Sequence, residues 1–345
     1  MPSIGVGMIG AGMVGQLCHL ANYLKTPDCR VVALAELRPE LGRQAAEKFG
    51  VPRVYQDHHE LLGDGEVDAV IVVTRRQATG AVVLDALRSG RHVLSEKPMA
   101  HQSQQGRMLA ETAAAGKRVY AVGYMKRHDA GIVRAKAELD RILRDGSLGA
   151  LVSVRGWCFG GNTGGFADGF VMTREDRPDG LSVWRSGPDW LPDRLLRNYD
   201  AFLNVNVHII NLMRHLMGGT PSVLATAMRD DGTGTTRLDF AGVPGVLDLA
   251  TIASDRWDEG CEFRFERGGL KIILPPPFRT DAEASVEITA ATSRSLPQGG
   301  SWAFQRQADA FIHDVIRGAK PLASGADAVD DLLTAEAIWR DHLKI

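Results

Sequence analysis

The sequence predicts an α/β fold that begins with a doubly wound parallel sheet and continues as an α+β domain with a mostly antiparallel sheet. Apolar strands alternate with helical segments over the first third of the chain, and a glycine-rich turn joins the first strand to the first helix. From about residue 150 the pattern changes to β-rich, alternating segments separated by short turns. We therefore expect one domain at 1–125 and a second at 126–345.

The first domain is predicted to contain five strands, each followed by a helix or a turn. The strands are "SIGVGMIG", "RVVALAEL", "VDAVIVVT", "RHVLSE" and "KRVYAVGY". The third is apolar almost throughout, which is typical of a parallel sheet covered on both faces. The helix between the second and third strands has Pro39 near its start and Gly50 past its end, the usual order of these two residues.

A glycine motif, Gly10-x-Gly12-x-x-Gly15, lies where the first strand gives way to the first helix. In such a turn the first glycine permits the tight bend, the second lets the backbone approach a pyrophosphate, and the third lets helix and strand pack closely. The helix start at Met13 and Val14 then offers free N–H groups to phosphates. This context predicts a dinucleotide site.

Cofactor choice is expected to depend on Glu36, which ends the second strand 21 residues after Gly15. A carboxylate there accepts hydrogen bonds from the ribose hydroxyls of NAD and repels the 2′-phosphate of NADP. Arg38 could have the opposite effect. We expect NAD to be the cofactor, with NADP the less favoured alternative.

The motif "VLSEKPMA" at 93–100 ends a strand by placing Glu96, Lys97 and Pro98 in a row. Proline disfavours helical geometry in the preceding residue, so Lys97 is expected in an extended or turn conformation at the strand end. With the glycine turn, this motif resembles the Gfo/Idh/MocA oxidoreductases, which include glucose–fructose oxidoreductase and inositol dehydrogenases. The resemblance extends to "GYMKRHD" at 123–129, "LNVNVHIINLMRHLMGG" at 203–219 and, more weakly, 304–339.

The resemblance implies that Lys97 lies beside the nicotinamide and the substrate hydroxyl, where it would act as the proton acceptor. A free lysine is protonated at neutral pH, so this role needs surroundings that favour the neutral amine. Glu96 is expected on the ribose side of the cofactor, and Thr74 fits the family at the end of another strand. Taken alone, Lys97 would be better explained as an exposed lysine of a turn.

The segment 203–219 is predicted to be a single helix ending at Gly218 and Gly219, with four polar residues on one face. These are Asn204, His208, Asn211 and His215. His208 matches the histidine of the related enzymes, whereas Asn204 and Asn211 stand where aspartates are usual. An asparagine can only donate and accept hydrogen bonds. We therefore assign proton transfer to Lys97 and His208, and substrate binding to Asn204.

Two further substrate contacts are implied at the end of the first domain. Arg127 and Tyr124 follow the last strand of the parallel sheet, and the carboxyl ends of such strands face the ligand crevice. A guanidinium group suits vicinal hydroxyls or a carboxylate. Arg127 could instead form an ion pair between domains.

A long stretch of irregular sequence covers residues 160–200 and is rich in aromatic residues. Loops of this length are usually functional or disordered, and aromatic content argues against disorder. The residues concerned are Phe166, Phe170, Trp184, Trp190 and Tyr199. We interpret the stretch as a lid or wall of a sugar site, with a subunit contact as the alternative.

Composition excludes several classes of function. A net charge of −2 gives no field that would attract nucleic acid or an anionic membrane, and no apolar run reaches the length of a membrane span. Four scattered cysteines lack metal-type spacing and fit a reducing compartment. The N-terminus lacks the pattern of a signal peptide. We expect a cytoplasmic protein without a resident metal.

These observations predict NAD-dependent hydride transfer between nicotinamide and a ring secondary alcohol of a sugar, glycoside or cyclitol. One alternative is a lyase or glycosidase that retains NAD and uses transient oxidation. Another is a dinucleotide-sensing protein without catalysis. We also expect a homo-oligomer, a dimer or tetramer, and by resemblance the last helix should pack back on the first domain.

Overall fold

The computed structural model describes residues 3–161, 168–176, 178–253 and 256–345. The chain divides into two compact units, each of which is built from segments that are separated along the sequence. Among the described residues, the first unit comprises 3–124, 168–186 and 304–329, and the second comprises 125–161, 187–303 and 330–345. Two segments from beyond residue 125 thus belong to the first unit.

A six-stranded parallel sheet, in the order β3-β2-β1-β4-β5-β6, forms the centre of the first unit. Its strands are β1 (Ile4–Ile9), β2 (Cys29–Ala35), β3 (Val54–Tyr55), β4 (Ala69–Val72), β5 (His92–Ser95) and β6 (Tyr120–Val122). The strand order reverses between β1 and β4, and in such sheets ligands bind at the carboxyl ends of the strands beside this reversal. The predicted parallel sheet is confirmed; the short β3 was not predicted.

Helices connect these strands. A π-helical turn (Gly15–Leu20) leads into α1 (Ala21–Tyr23), followed along the chain by α2 (Pro39–Phe49), α3 (His58–Leu62), α4 (Arg76–Arg88) and α5 (Ser103–Ala115). Gly50 ends α2 in the left-handed conformation, as its position predicted. The apolar face of α9 (Ala303–Arg317) packs in the hydrophobic core of the first unit, where Phe311 and Ile312 cluster with Met8, Leu20 and Tyr23.

The second unit contains an eight-stranded sheet in the order β14-β13-β12-β11-β7-β10-β9-β8. Its strands are β7 (Leu151–Gly160), β8 (Ser222–Met228), β9 (Gly234–Phe240), β10 (Val243–Thr251), β11 (Asp258–Phe265), β12 (Gly268–Leu274), β13 (Ser285–Thr289) and β14 (Ser293–Ser295). Only the β7–β10 pair is parallel among the pairs of this sheet. The mostly antiparallel sheet is confirmed, with β13 and β14 as additional strands.

The helices of this unit are α6 (Ala130–Asp145), α7 (Leu196–Val205), α8 (Val207–Met217) and the part of α10 (Gly325–Leu343) that begins at Asp330. Trp339 of α10 is fully buried and packs edge-on against Tyr199 and Phe202 of α7. The last helix was expected to pack on the first domain; α9 packs in the core of the first unit, and residues 325–329 at the start of α10 also belong to that unit. In the described part of the chain, no helix combines the length and apolar character needed to cross a bilayer.

Candidate functional site

The turn between β1 and the first helix has the geometry that its three glycines predict. Gly10 has a φ of 101°, a backbone conformation that favours glycine. A Cβ on Gly15 would lie 2.4 Å from the carbonyl oxygen of Gly10, so only glycine permits this close packing. A Cβ on Gly12 would meet no described atom within 4 Å, which leaves the backbone open toward a ligand.

A cavity of about 400 Å³ opens in front of this turn, and we call it the glycine-turn cavity. The predicted cofactor residues that line it are Gly10, Gly12, Met13, Val14, Gly15, Glu36, Arg38 and Thr74. The cavity thus follows the carboxyl ends of β1, β2 and β4, where the strand order reverses. This arrangement of an open glycine turn beside an acidic strand end fits a dinucleotide.

Glu36 is held at the rim of this cavity by three hydrogen bonds. One carboxylate oxygen accepts from the backbone N–H of Ala11 at 2.8 Å, and the other accepts from Nε of Arg38 at 2.7 Å and from the backbone N–H of Arg38 at 3.2 Å. Glu36 is only 7% exposed. Because the Arg38 guanidinium is already paired with a carboxylate, its positive charge is partly neutralised, which weakens the expectation that it would attract a phosphate.

Lys97 follows β5, and its peptide bond to Pro98 is cis. The Glu96 carboxylate beside it accepts a hydrogen bond from the Lys97 N–H at 3.2 Å and contacts Nε2 of the buried His19 at 2.8 Å. Burial, the largest influence, acts to raise the pKa of Glu96, but the contacts with His19 and Lys97 bring that pKa below its usual value. Glu96 is therefore ionised at neutral pH. Neither Glu96 nor Lys97 is among the residues that line the glycine-turn cavity.

His19 was not anticipated from the sequence. It lies on the π-helical turn Gly15–Leu20, where no spacing rule links it to a carboxylate 77 residues away. Glu96 was expected on the ribose side of the cofactor. In the structure its carboxylate contacts the imidazole of His19. Tyr124 ends the first segment of the first unit, just after β6, and is 1% exposed.

In the second unit, Arg127 belongs to a buried hydrogen-bonded row. Its Nε donates to Oδ1 of Asn211 at 2.8 Å, and Nδ2 of Asn211 donates to Asp331 at 2.8 Å. Asp331 also accepts from Arg214 at 2.5 Å. Burial raises the pKa of Asp331 to about 6, although Arg214, Arg127 and Asn211 all act to lower it. Asn211 therefore connects Arg127 to a buried carboxylate, and Asp331 is a second residue that the sequence analysis missed.

The predicted single helix over 203–219 is two helices. α7 ends at Val205 and α8 begins at Val207, with Asn206 between them. Asn204 and His208 therefore lie on different helices, and both are half-buried. Asn211 is 1% exposed, so the predicted polar face is in part a buried one. Gly218 ends α8 in the left-handed conformation, as predicted.

The described residues of the long stretch 160–200 do not form one loop. Pro178 and Leu181 line the glycine-turn cavity, and Trp184 packs against Gly80 of α4. In the second unit, Trp190 stacks on Arg340, whereas Tyr199 is buried within α7. Phe170 is half-buried, and Phe166 lies outside the described residues. The described aromatic residues of this stretch are thus divided between the two units, whereas we expected them to form a single wall of a sugar site.

A group of possible metal ligands lies near the cavity. Asp57, His58 and His59 place ligand atoms within 4.8 Å of one another. Asp57 accepts a hydrogen bond from the N–H of His59 as the cap of α3, and His58 pairs with Asp85 at 3.2 Å. Because these groups have protein partners, we assign no metal to them.

Comparisons with known proteins agree with this geometry. Residues 4–124 match a family described as an oxidoreductase family with an NAD-binding Rossmann fold. An inositol 2-dehydrogenase of Burkholderia cenocepacia is 35% identical over 151 residues, which are 43% of this chain and 43% of that protein. A myo-inositol 2-dehydrogenase of Thermotoga maritima is 25% identical over 357 residues, covering 96% of this chain and 94% of that protein. The match to the Burkholderia protein thus spans less than half of its length.

Solved structures share the fold along nearly the whole chain. A levoglucosan dehydrogenase in complex with NADH and levoglucosan has a TM-score of 0.77 at 19% identity, covering 99% of this chain and 97% of that chain. KijD10, a 3-ketoreductase from Actinomadura kijaniata in complex with NADP and TDP-benzene, has a TM-score of 0.77 at 20% identity, covering 98% and 97%. At such identities the likeness shows the fold alone.

Proposed function

Since residues 4–124 match the oxidoreductase family with an NAD-binding Rossmann fold, we propose that this chain transfers a hydride between NAD and a ring secondary alcohol. The substrate class we propose is a sugar, glycoside or cyclitol. The names of the relatives support this class, because they include inositol dehydrogenases and a levoglucosan dehydrogenase.

The glycine-turn cavity is the observation that carries the proposal. Its open backbone at Gly12 and its acidic rim at Glu36 suit the pyrophosphate and the ribose hydroxyls of a dinucleotide. We propose NAD over NADP, because Glu36 presents a negative charge at the ribose end and Arg38 is paired with it. When bound, the nicotinamide supplies the acceptor for the hydride.

Proton transfer is proposed to use Lys97 and His208. In the oxidation, the C–H bond of the alcohol gives up its hydride and the O–H bond gives up its proton, and a carbonyl forms. We propose that the Lys97 amine accepts this proton, while His208 hydrogen-bonds to the reacting oxygen and shares the proton with it during the transfer. In the reverse direction the lysine ammonium returns it.

Substrate orientation is proposed to come from Arg127, Asn204 and Tyr124. The hydrogen bond from Arg127 to Asn211 fixes one edge of the guanidinium group, which supports a binding role rather than a mobile surface charge. A planar guanidinium group suits two neighbouring hydroxyls. Asn204 and Tyr124 offer both donors and acceptors to further hydroxyls.

We also propose a homo-oligomer that pairs through the outer face of the eight-stranded sheet. Arg155 of β7 forms an ion pair with Asp248 of β10 on this face at 2.8 Å. Glu262 and Lys271, opposite each other on β11 and β12, continue the charged row. Ion pairs that such side chains formed with a second copy would weaken as salt screens them. Light scattering after size exclusion should therefore show a dimer or tetramer at low ionic strength that dissociates more readily at 1 M salt.

Absorbance of NADH at neutral pH, followed over a panel of inositols, free sugars and glycosides, tests the enzymatic proposal. Net NADH formation with a member of the panel is the expected result. Product without net NADH would favour the lyase or glycosidase, and dinucleotide binding without product would favour a sensor. Lys97→Met should reduce kcat by at least about a hundredfold with NAD binding retained. A variant that kept most of its turnover would remove Lys97 from the mechanism.

A further inference from the structure

The start of α2 is capped by a residue from a distant part of the chain. The Glu175 carboxylate accepts hydrogen bonds from the backbone N–H groups of Glu40 and Leu41, both at 2.9 Å. Thr173 donates its hydroxyl to the same carboxylate at 2.8 Å. Arg38, which precedes α2, forms no side-chain cap of its own. Glu175 therefore supplies the acceptor that the local sequence lacks.

These N–H groups follow directly on the residues that form the ribose end of the glycine-turn cavity. Glu36, Leu37 and Arg38 line the cavity, and α2 begins at the next residue, Pro39. The first turn of a helix attracts anions because its N–H groups lack partners and its dipole is positive there. An anion bound at the start of α2 would compete for these groups, which Glu175 already holds.

The chain around Glu175 is fixed on this side of the first unit by several contacts. Gln16, which follows the glycine turn, donates its amide to the carbonyl of Val171 at 2.9 Å and accepts from the Val171 N–H at 2.8 Å. Beyond Glu175, Leu181 lines the cavity, and Gly180 packs near Leu37. Glu175 is not itself among the residues that line the cavity; it lies in a segment that Gln16 anchors and that reaches the cavity at Leu181.

We propose that Glu175 is a second specificity-determining residue, which together with Glu36 excludes NADP from the glycine-turn cavity. This inference rests on the proposed dinucleotide binding. The carboxylate would oppose a 2′-phosphate both by like-charge repulsion and by occupying the backbone groups that would otherwise bind it. Burial, the largest influence, acts to raise the pKa of Glu175, but hydrogen bonds from the Glu40 and Leu41 N–H groups and the Thr173 hydroxyl bring that pKa below its usual value, so the group is charged at neutral pH.

The test compares the dissociation constants of NAD⁺ and NADP⁺ by isothermal titration calorimetry, in the full chain and in two variants. Glu175→Gln keeps a side-chain oxygen that can cap α2 but removes the charge. Glu40→Gln is the matched control, because Glu40 is an exposed carboxylate of the same helical turn that pairs with Arg43 and Gln44. We expect Glu175→Gln to bind NADP⁺ about tenfold more tightly, with NAD⁺ affinity within about twofold of the original. We expect Glu40→Gln to change neither affinity by more than about twofold.

Other outcomes separate this inference from the proposed function. If the ratio of the two constants stays unchanged in Glu175→Gln while the thermal midpoint falls, Glu175 is a helix cap only and the inference is wrong. An equal shift in Glu40→Gln would assign the effect to general charge and would also overturn it. If the unmodified protein binds neither dinucleotide, the proposed function itself is wrong. Glu175→Ala, which also removes the cap, checks that the gain in NADP⁺ affinity follows the charge.

Discussion

Asn211 donates its side-chain amide to the buried carboxylate of Asp331 at 2.8 Å, while its carbonyl oxygen accepts from Arg127. Only a side chain that donates on one side and accepts on the other can join these two partners. An ionised aspartate at 211 would place a second negative charge against Asp331. The asparagine that departs from the pattern of the related enzymes is therefore explained by a carboxylate on α10, 120 residues away.

Exchanging the two groups tests this relationship. Asn211→Asp should lower the free energy of unfolding by about 2 to 4 kcal/mol, because two buried carboxylates would then compete for Arg127 and Arg214. Adding Asp331→Asn should recover most of this loss, because the donor and acceptor would again be complementary. Urea unfolding of both single variants and the double variant gives the coupling energy. Strictly additive effects would show that the contact does not determine the residue at 211.

Asp331 also predicts a pH dependence of stability. Burial raises its pKa to about 6 against an ordinary value of 3.8, so the folded state holds this proton more tightly than the unfolded chain does. The resulting stability is fully present below pH 4 and is lost as the pH rises through 6. The shift corresponds to a change on the order of 3 kcal/mol. Urea unfolding between pH 4 and 7 should show this decline in the unmodified protein relative to Asp331→Asn, and parallel curves would contradict it.

The parallel sheet and the glycine turn could be predicted because their signals are local. A fully apolar strand indicates burial on both faces, and the spacing of Gly10, Gly12 and Gly15 reflects contacts within a single turn. The strands β7–β12 were likewise visible in alternation or β-rich composition. β3 and β14, of two and three residues, gave too little sequence for a pattern, and the five-residue β13 was also missed.

The missed features depend on contacts between distant parts of the chain. Glu175 caps a helix 135 residues earlier, and no property of the sequence near 175 indicates that partner. The division of the predicted helix at Asn206 was also hidden, because this residue keeps helical dihedral angles (φ −82°, ψ −18°) and the periodicity runs on through it. Such features follow from packing, which periodicity does not describe.

His19 is expected to keep Glu96 ionised beside Lys97. His19→Phe removes the imidazole contact at 2.8 Å from a half-buried carboxylate, so the pKa of Glu96 should rise and the protein should lose about 1 to 3 kcal/mol of stability at pH 7. The folded-state pKa of Glu96 is lowered, so its stabilisation is present at neutral pH and is lost as the pH falls. Carboxyl carbon NMR measures the pKa directly. In a Glu96→Gln background the histidine change should cost at least about 1 kcal/mol less; an equal cost would argue against the contact.

Two glycines of the same turn separate ligand binding from folding. A Cβ on Gly12 would extend into the open cavity without a described protein atom within 4 Å. The free energy of unfolding of Gly12→Ala should therefore lie within about 0.5 kcal/mol of that of the original protein. The added methyl group would occupy the space that the pyrophosphate needs, and NAD⁺ affinity should fall at least about tenfold. A Cβ on Gly15 would meet the Gly10 carbonyl oxygen at 2.4 Å, so Gly15→Ala should cost about 1 to 3 kcal/mol of stability. Thermal unfolding and calorimetric titration of NAD⁺ measure both properties on the same samples. Unchanged NAD⁺ affinity in a folded Gly12→Ala protein would mean that the dinucleotide does not approach this turn, because no other change in the variant could compensate for a methyl group placed against the pyrophosphate.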